Sequence, residues 1–437
     1  MKDGVKGAQV IPRGITLLLT LLLAFVATFF TIAFAWKPIL TEPLRLLIPQ
    51  RASSGDNVSN TSADSRRPAM TINGGTIYLA WREGEGAAAE IYFNKKVSGS
   101  WSGNINVSHD ASDSAGPAIA VTGNDVHLVW QDAQALNIVY KGSNNGGSTW
   151  GVGPQVIPDD GEDSFPPMAI TLSGLVPHVV WVAEPFNFEI FYSNRTGGSW
   201  SASPTNLTVS TAGDADHPSI GAGNYLHATW DVDSGTGHFI EYSKSTDGGA
   251  NWSSPVDISG NVTNNGDSTH PDIAVQGNNL FVVWSTLINE TETSKTYTIR
   301  FNKSANGGVT WLTSSAPIAA PTISKGFINE FPVPRVAISD TNTIYVVWHQ
   351  GTGKADVMSS VSTDGGQSWS TTPDNVSNSS QNAQLARVAI GTAHVVWEEE
   401  VWDSELGVWQ YDILHQYTTG TEEGGGIYLP IIMKNSS

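Results

Sequence analysis

A short stretch, Ser362-Thr-Asp-Gly-Gly-Gln-Ser-Trp369, recurs along this chain as Ser245-Thr-Asp-Gly-Gly-Ala-Asn-Trp252. With Asn in place of Asp it recurs again, ending at Trp150 and at Trp311. Asp or Asn followed by Gly-Gly supplies the positive φ angles that a tight hairpin turn needs, and the short polar side chain can bond its own turn backbone. The Trp that follows returns a large apolar ring toward the protein interior. Two weaker copies, ending at Trp101 and Trp200, keep the glycine and the Trp but lose the acid.

A second repeated word precedes each turn. It is a short apolar run ending at Trp81, Trp130, Trp181, Trp230, Trp284, Trp348 and Trp397, spaced by 49, 51, 49, 54, 64 and 49 residues. Periods of this size mark the blades of a propeller, each built from four short strands. The widest interval contains the segment from Ser314 to Asn329, which reads as a long loop. Seven units follow from the count. The last lacks a fourth strand, and Asp56-Asn-Val-Ser59 near the other end matches the fourth-strand sequence Asp374-Asn-Val-Ser377. The N-terminal strand is therefore expected to complete the seventh blade and close the ring.

The turn motif resembles the Asp-box, or BNR repeat, of sialidases and related β-propellers. On that resemblance Ser143, Asn145 and Trp150, Ser245, Asp247 and Trp252, Ser304, Asn306 and Trp311, and Ser362, Asp364 and Trp369 are structural turn residues rather than catalytic ones. The resemblance alone would imply six blades, the sialidase number; the repeats imply an all-β, seven-bladed propeller of four-stranded antiparallel blades.

Composition agrees. The 437 residues include 44 Gly and 16 Trp with only 14% charged residues, which suits an all-β chain with many turns. There is no cysteine, so disulfides and thiolate metal sites are excluded. The formal charge of −19 and the lack of a basic stripe argue against nucleic acid as a partner. Residues 1–36 carry Lys2, Lys6 and Arg13 ahead of an uncharged run from Ile15 to Trp36, read as a hydrophobic helix that is either a signal peptide, with Ala33-Phe34-Ala35 as its cleavage site, or an uncleaved membrane anchor. Either way the remainder is expected outside the cell or on its surface. Residues 37–54 read as a linker, 55–418 as the propeller, and 419–437 as a flexible spacer with a short apolar tail.

Candidate chemistry divides into several groups. His127, His178, His227 and His394 stand three residues before a second-strand Trp, where other units carry Tyr or Phe, and so read as packing residues. His217 and His270 precede the first-strand Pro of adjacent units, where the chain enters the channel; they read as rim residues or as a pair that could share a metal or a ligand, and with Asp272 they are the candidate ligand-binding group. Arg335 and Arg387 share one register in units 6 and 7, and Arg67 lies one residue out of step in unit 1. Three such guanidinium groups would grip a sugar carboxylate, as the sialidase resemblance implies. That resemblance also implies a Tyr nucleophile with a Glu and an acid/base Asp, for which Tyr411, Glu398 or Glu405, and Asp64 are the candidates. The Phe/Tyr-Arg-Ile-Pro motif of that family is absent.

Loops holding Glu83, Asp132, Glu184, Asp231, Asp233, Glu398, Glu399 and Glu400 predict an acidic, solvated upper face. Carboxylates suit Ca²⁺, but no calcium-loop spacing is present, and neither a metal site nor a cofactor is expected. Trp402 and Trp409 fall in a long loop of unit 7 and are candidate sugar-stacking residues. The favoured expectation is a monomeric, non-catalytic exported propeller that binds a carbohydrate or a protein. The alternatives are a sialidase-like exo-glycosidase and an adhesion or assembly scaffold.

Overall fold

Seven antiparallel sheets are stacked around one axis in the computed structural model. It describes residues 55–417, apart from 110–111, 160, 210–212, 261–266, 326–329, 390–392 and 404–407, and they belong to one compact unit, Ser53–Ser437. The N-terminal hydrophobic segment and the C-terminal tail lie outside the described residues. Among those described, no helix is long and apolar enough to cross a membrane.

Blade 4 shows the plan. Its strands Asp214–Ala222, Leu226–Asp233, His238–Ser245 and Val256–Asp257 pair in sequence order. The second strand is buried on both faces because blades stack on either side of it, so it reads as a continuous apolar run rather than an alternating one. The seven second-strand Trp residues are all 0% exposed and form the centre of each blade-to-blade contact. Truncating any one of them to Ala would cost about 3–5 kcal/mol. In blades 1, 3 and 5 the outer edge is split into two short strands. The expected loop after Ser314 is one such case: Ala316–Ala319 and Thr322–Ser324 both pair with the third strand of blade 5.

The ring closes as the sequence implies. Asp56 and Asn57 pair with His415 and Leu414 of blade 7. The Val58 amide donates to the Ile413 carbonyl at 2.7 Å, and the Val58 side chain packs with Leu79, Trp81, Val396 and Ile413. The innermost strand of blade 7 (Ala383–Ala389) lies against that of blade 1 (Ser65–Asn73), so the innermost strands form an unbroken ring around the channel.

The repeated turns have one hydrogen-bond plan. The Ser245 hydroxyl donates to Asp247 Oδ1 at 2.8 Å and accepts from the Gly249 amide at 2.8 Å; Asp247 Oδ1 also accepts from the Asn251 amide. The turns at Ser143, Ser304 and Ser362 repeat these bonds. Their Trp residues do not enter the blade core. They are half-buried and stand edge-on against a third-strand ring of the preceding blade: Trp150 on Phe93, Trp252 on Tyr192, Trp311 on Tyr242 and Trp369 on Phe301. Trp101 meets His415 across the closure seam in the same way. At Gly147, Gly249 and Gly308 this contact leaves no room for a Cβ. A Cβ on Gly249 (φ +94°) would collide with the Tyr192 hydroxyl. Gly249→Ala is therefore expected to destabilise the protein by at least about 1–3 kcal/mol, the cost of a strained left-handed residue alone, read as a lower unfolding midpoint.

Candidate functional site at the channel mouth

The innermost strands share a local irregularity that sequence patterning does not reveal. Six of the seven carry a bulge, at Arg66/Ala69, Ala115/Ala118, Phe165/Met168, Asp216/Ser219, Thr269/Asp272 and Gln384/Arg387. In five of them a bulged residue has positive φ: Arg67, Gly116, His217, His270 and Leu385. A bulge inserts an extra residue and re-aims its side chain. His217 and His270 owe their place to it.

In four blades the residue after the second-strand Trp reaches the innermost strand region of the next blade, and in two of these it holds the bulge itself. Asp231 of blade 4 accepts the His270 amide of blade 5 at 2.8 Å. Glu398 of blade 7 accepts the Arg67 amide of blade 1 at 3.1 Å. Gln131 and Ser285 donate to the carbonyls of Ser164 and Pro332 in the next blades. This position carries polar side chains inside an apolar run, which is the sequence signal that could have identified it. It corrects the expectation of a solvated acidic face: Asp231 is 2% exposed, and Glu83, Glu398 and Glu399 are also buried. Glu83 and Glu399 accept the indole N–H of Trp81 and Trp397. Glu184 is exposed and Asp132 and Asp233 are partly so, as expected of them.

A cavity of about 240 Å³ lies on the axis, lined by residues from all seven innermost strands. Pro, Ala and Ile side chains form most of its wall; His217, His270, Asp272, Arg335 and Arg387 supply its charge and hydrogen-bonding groups. The His217 and His270 rings lie with centroids 3.7 Å apart and planes at 31°. His217 Nδ1 bonds Asp231 Oδ2 at 3.0 Å, while His270 Nδ1 is 2.9 Å from the Thr269 hydroxyl. Asp272, expected as a ligand contact, has both oxygens engaged between blades. One accepts the Ser219 hydroxyl at 3.0 Å and the other the Val336 amide at 2.9 Å.

Arg335 and Arg387 enter this cavity together. Among the described residues neither forms an ion pair; each bonds only the carbonyl before it, on Pro334 and Ala386 respectively. Burial, and then the positive charge of Arg335 beside it, lower the pKa of Arg387 to about 9. Arg335 is lowered by burial, against the opposing influence of Asp272. Arg67 is placed differently. The strand position matching Arg335 and Arg387 is Ala69, opposite the residue before the Trp, so Arg67 stands two residues upstream of it rather than one. It lies in the bulge and is exposed at the mouth.

The Tyr, Glu and Asp candidates do not assemble as a nucleophilic site. Tyr411 is buried under the Arg66 guanidinium, 3.6 Å from its ring centre, and donates to Glu400 at 2.9 Å rather than to Glu398. Burial and that carboxylate push its pKa up, opposite to what a phenolate nucleophile needs. Asp64 accepts the Tyr411 amide and pairs with Arg66, while Glu405 lies outside the described residues. Trp402 and Trp409 are not in a loop. Their backbones pair in a hairpin that extends the second and third strands of blade 7, and Trp409 is 54% exposed.

No family model matches the chain, and no curated protein does. Solved structures do. An ulvan lyase of a polysaccharide lyase family, bound to -[GlcA(1-4)Rha3S]-, matches with TM-score 0.50 at 12% identity over 83% of this chain and 95% of its own. The polysaccharide lyase Uly1 matches with TM-score 0.50 at 11% identity, over 79% and 88% of the two chains. A leech intramolecular trans-sialidase matches with TM-score 0.44 at 13% identity, over 84% and 69%. What this chain shares with these proteins is the β-propeller fold.

Proposed function

We propose that this protein is an exported propeller that recognises carboxylate-bearing carbohydrate at its channel mouth. The observation that carries the reading is the pair Arg335 and Arg387: two half-buried guanidinium groups in one cavity, with no carboxylate ion-pair partner among the described residues. Buried cations are normally paired, because desolvating an uncompensated charge is costly. A planar guanidinium matches a carboxylate in two-point geometry. An otherwise acidic protein that places two arginines on its axis has kept them for an anion. The basic start and apolar run of residues 1–36 support export, and the repeated Ser-x-Asp/Asn turns support an Asp-box lineage.

Carbohydrate is favoured over protein because the cavity is narrow and axial, and because the same fold holds a glucuronate-containing ligand in the ulvan lyase named above. The buried, Glu400-bonded Tyr411 speaks against a sialidase-type hydrolase.

A glycan array probed with the full-length chain tests the reading. Uronate- and sialate-bearing glycans should bind and their neutral counterparts should not. Equal binding of neutral glycans would overturn it.

A further inference from the structure

We infer that the channel mouth carries out β-elimination on a 4-linked hexuronate, with His270 as the base, His217 held by Asp231 as the acid, and Arg335 and Arg387 on the uronate carboxylate. The inference rests on the carboxylate reading above and deepens it. The step balances without a further reactant. His270 takes the proton from C5, and that electron pair becomes the C4=C5 double bond. The C4–O bond breaks with its electrons on oxygen, and His217 supplies the proton that the leaving sugar needs. No water is consumed and nothing is oxidised or reduced.

Three features of the site select this chemistry. First, the two imidazoles are adjacent yet unlike in their partners. His217 bonds a buried carboxylate and His270 a hydroxyl, so one ring is built to hold a proton and the other to accept one. Environments that separate two neighbouring titratable groups assign acid and base. The same environments act on the proton equilibria in the required sense. Burial, with the charges of His217 and Arg335, holds His270 well below the usual imidazole range. Burial also opposes charge on His217, but Asp231 outweighs it and raises that pKa. Second, C5–H becomes acidic only when the attached carboxylate is neutralised, and the arginine pair shares the cavity with the two rings. Third, the competing chemistries lack their groups among the described residues. Two-carboxylate glycoside hydrolysis needs two available carboxyl groups, whereas the cavity wall presents Asp272, whose oxygens are both engaged; the Tyr-nucleophile variant lacks an accessible Tyr, since Tyr411 is buried on Glu400. His217, Asp231 and His270 would also pass as a cation site, their ligand atoms lying within 4.8 Å of one another. But His217 Nδ1 and Asp231 Oδ2 already bond each other at 3.0 Å, which engages that pair with one another rather than with an ion. The Arg335 charge, which already acts on both rings, would further repel the ion.

The test uses the full-length chain with polygalacturonate and with ulvan, following the ultraviolet absorbance of an unsaturated uronate and the mass of the products. Elimination is expected to yield fragments lighter by one water than hydrolysis would give. His270→Ala and His217→Ala should each lower the rate by about 100-fold or more, with polysaccharide binding within a few-fold of the parent. His270→Gln and His217→Gln provide the same comparison should the smaller side chains impair folding. Fragments that have gained water, undiminished rates in all four variants, or binding of both polysaccharides without cleavage would overturn the inference, the last leaving carboxylate recognition intact. Failure to bind either polyuronate would overturn recognition as well.

Discussion

A chain beginning at residue 60 is expected to unfold on the order of 5 kcal/mol more easily than the parent, with protease cleavage appearing first within residues 408–417. The lost strand contributes two ladder pairs, the Val58 amide bond to Ile413 and the buried Val58 side chain. Each hydrogen bond is worth about 0.5–1.5 kcal/mol and a fully buried Val about 1.5–3 kcal/mol. Removing the strand also exposes the edge of the seventh sheet, and Trp101 loses the ordered surroundings of His415. Gly55→Val is the sharper probe, because a Cβ there would collide with the His415 carbonyl. An unfolding midpoint in guanidinium chloride equal to the parent's, for both variants, would mean that the seam does not hold the ring.

The same seam should weaken as pH falls, and in two stages. His415 is buried and its pKa is lowered mainly by that burial, so acidification below about 6.5 charges the unfolded state first and favours it. Asp56 is held below its ordinary carboxylate value by the His415 hydrogen bond, against burial, and by Lys96. Its contribution is present above pH 3.8, the usual value, and is lost as pH falls through the depressed one. The chain that lacks residues 55–59 should lose the second stage, which unfolding midpoints measured across pH would show.

Arg387→Met should separate binding from stability. The carboxylate loses a charge-assisted, two-point contact worth about 1.5–3 kcal/mol, which is roughly a 10- to 150-fold weaker affinity for a uronate oligosaccharide. The free protein, in contrast, is relieved of a half-buried cation that forms no ion pair among the described residues and feels the charge of Arg335, and its melting temperature should hold or rise. Arg335→Met should behave similarly, since burial lowers the pKa of that cation as well. Arg387→Lys should not restore binding, because an ammonium cannot reproduce the planar fork. If affinity and melting temperature fall together in all three variants, the arginines are structural.

The blade count and the closure were readable because each is written in local chemistry that repeats. An apolar run ending in Trp recurs seven times and a glycine turn followed by Trp six times, four of them with little variation, and Asp56-Asn-Val-Ser59 carries the outer-strand word to the wrong end of the chain. The arginine register in units 6 and 7 was readable for the same reason. The bulges were not. The positive φ of His270 goes with a hydrogen bond from its amide to Asp231 of the preceding blade, a contact across about forty residues that no local pattern encodes. This is why Arg67 was assigned to the wrong step and why Asp231 was assigned to a wet surface. An acid directly after a core Trp reads as the start of a loop; it is instead an acceptor turned inward to the neighbouring strand. The turn Trp residues were legible as apolar anchors but not as rings reserved for the adjacent blade.

Because Asp231 sets the backbone of His270, and Asp272 in turn that of Val336 beside Arg335, blades 4 and 5 each finish the working surface of their successor. The unit that could be transplanted between propellers is thus not a whole sheet. It runs from one core Trp to the first strand beyond it, and a graft cut at the sheet boundaries would deliver side chains without the partner that aims them.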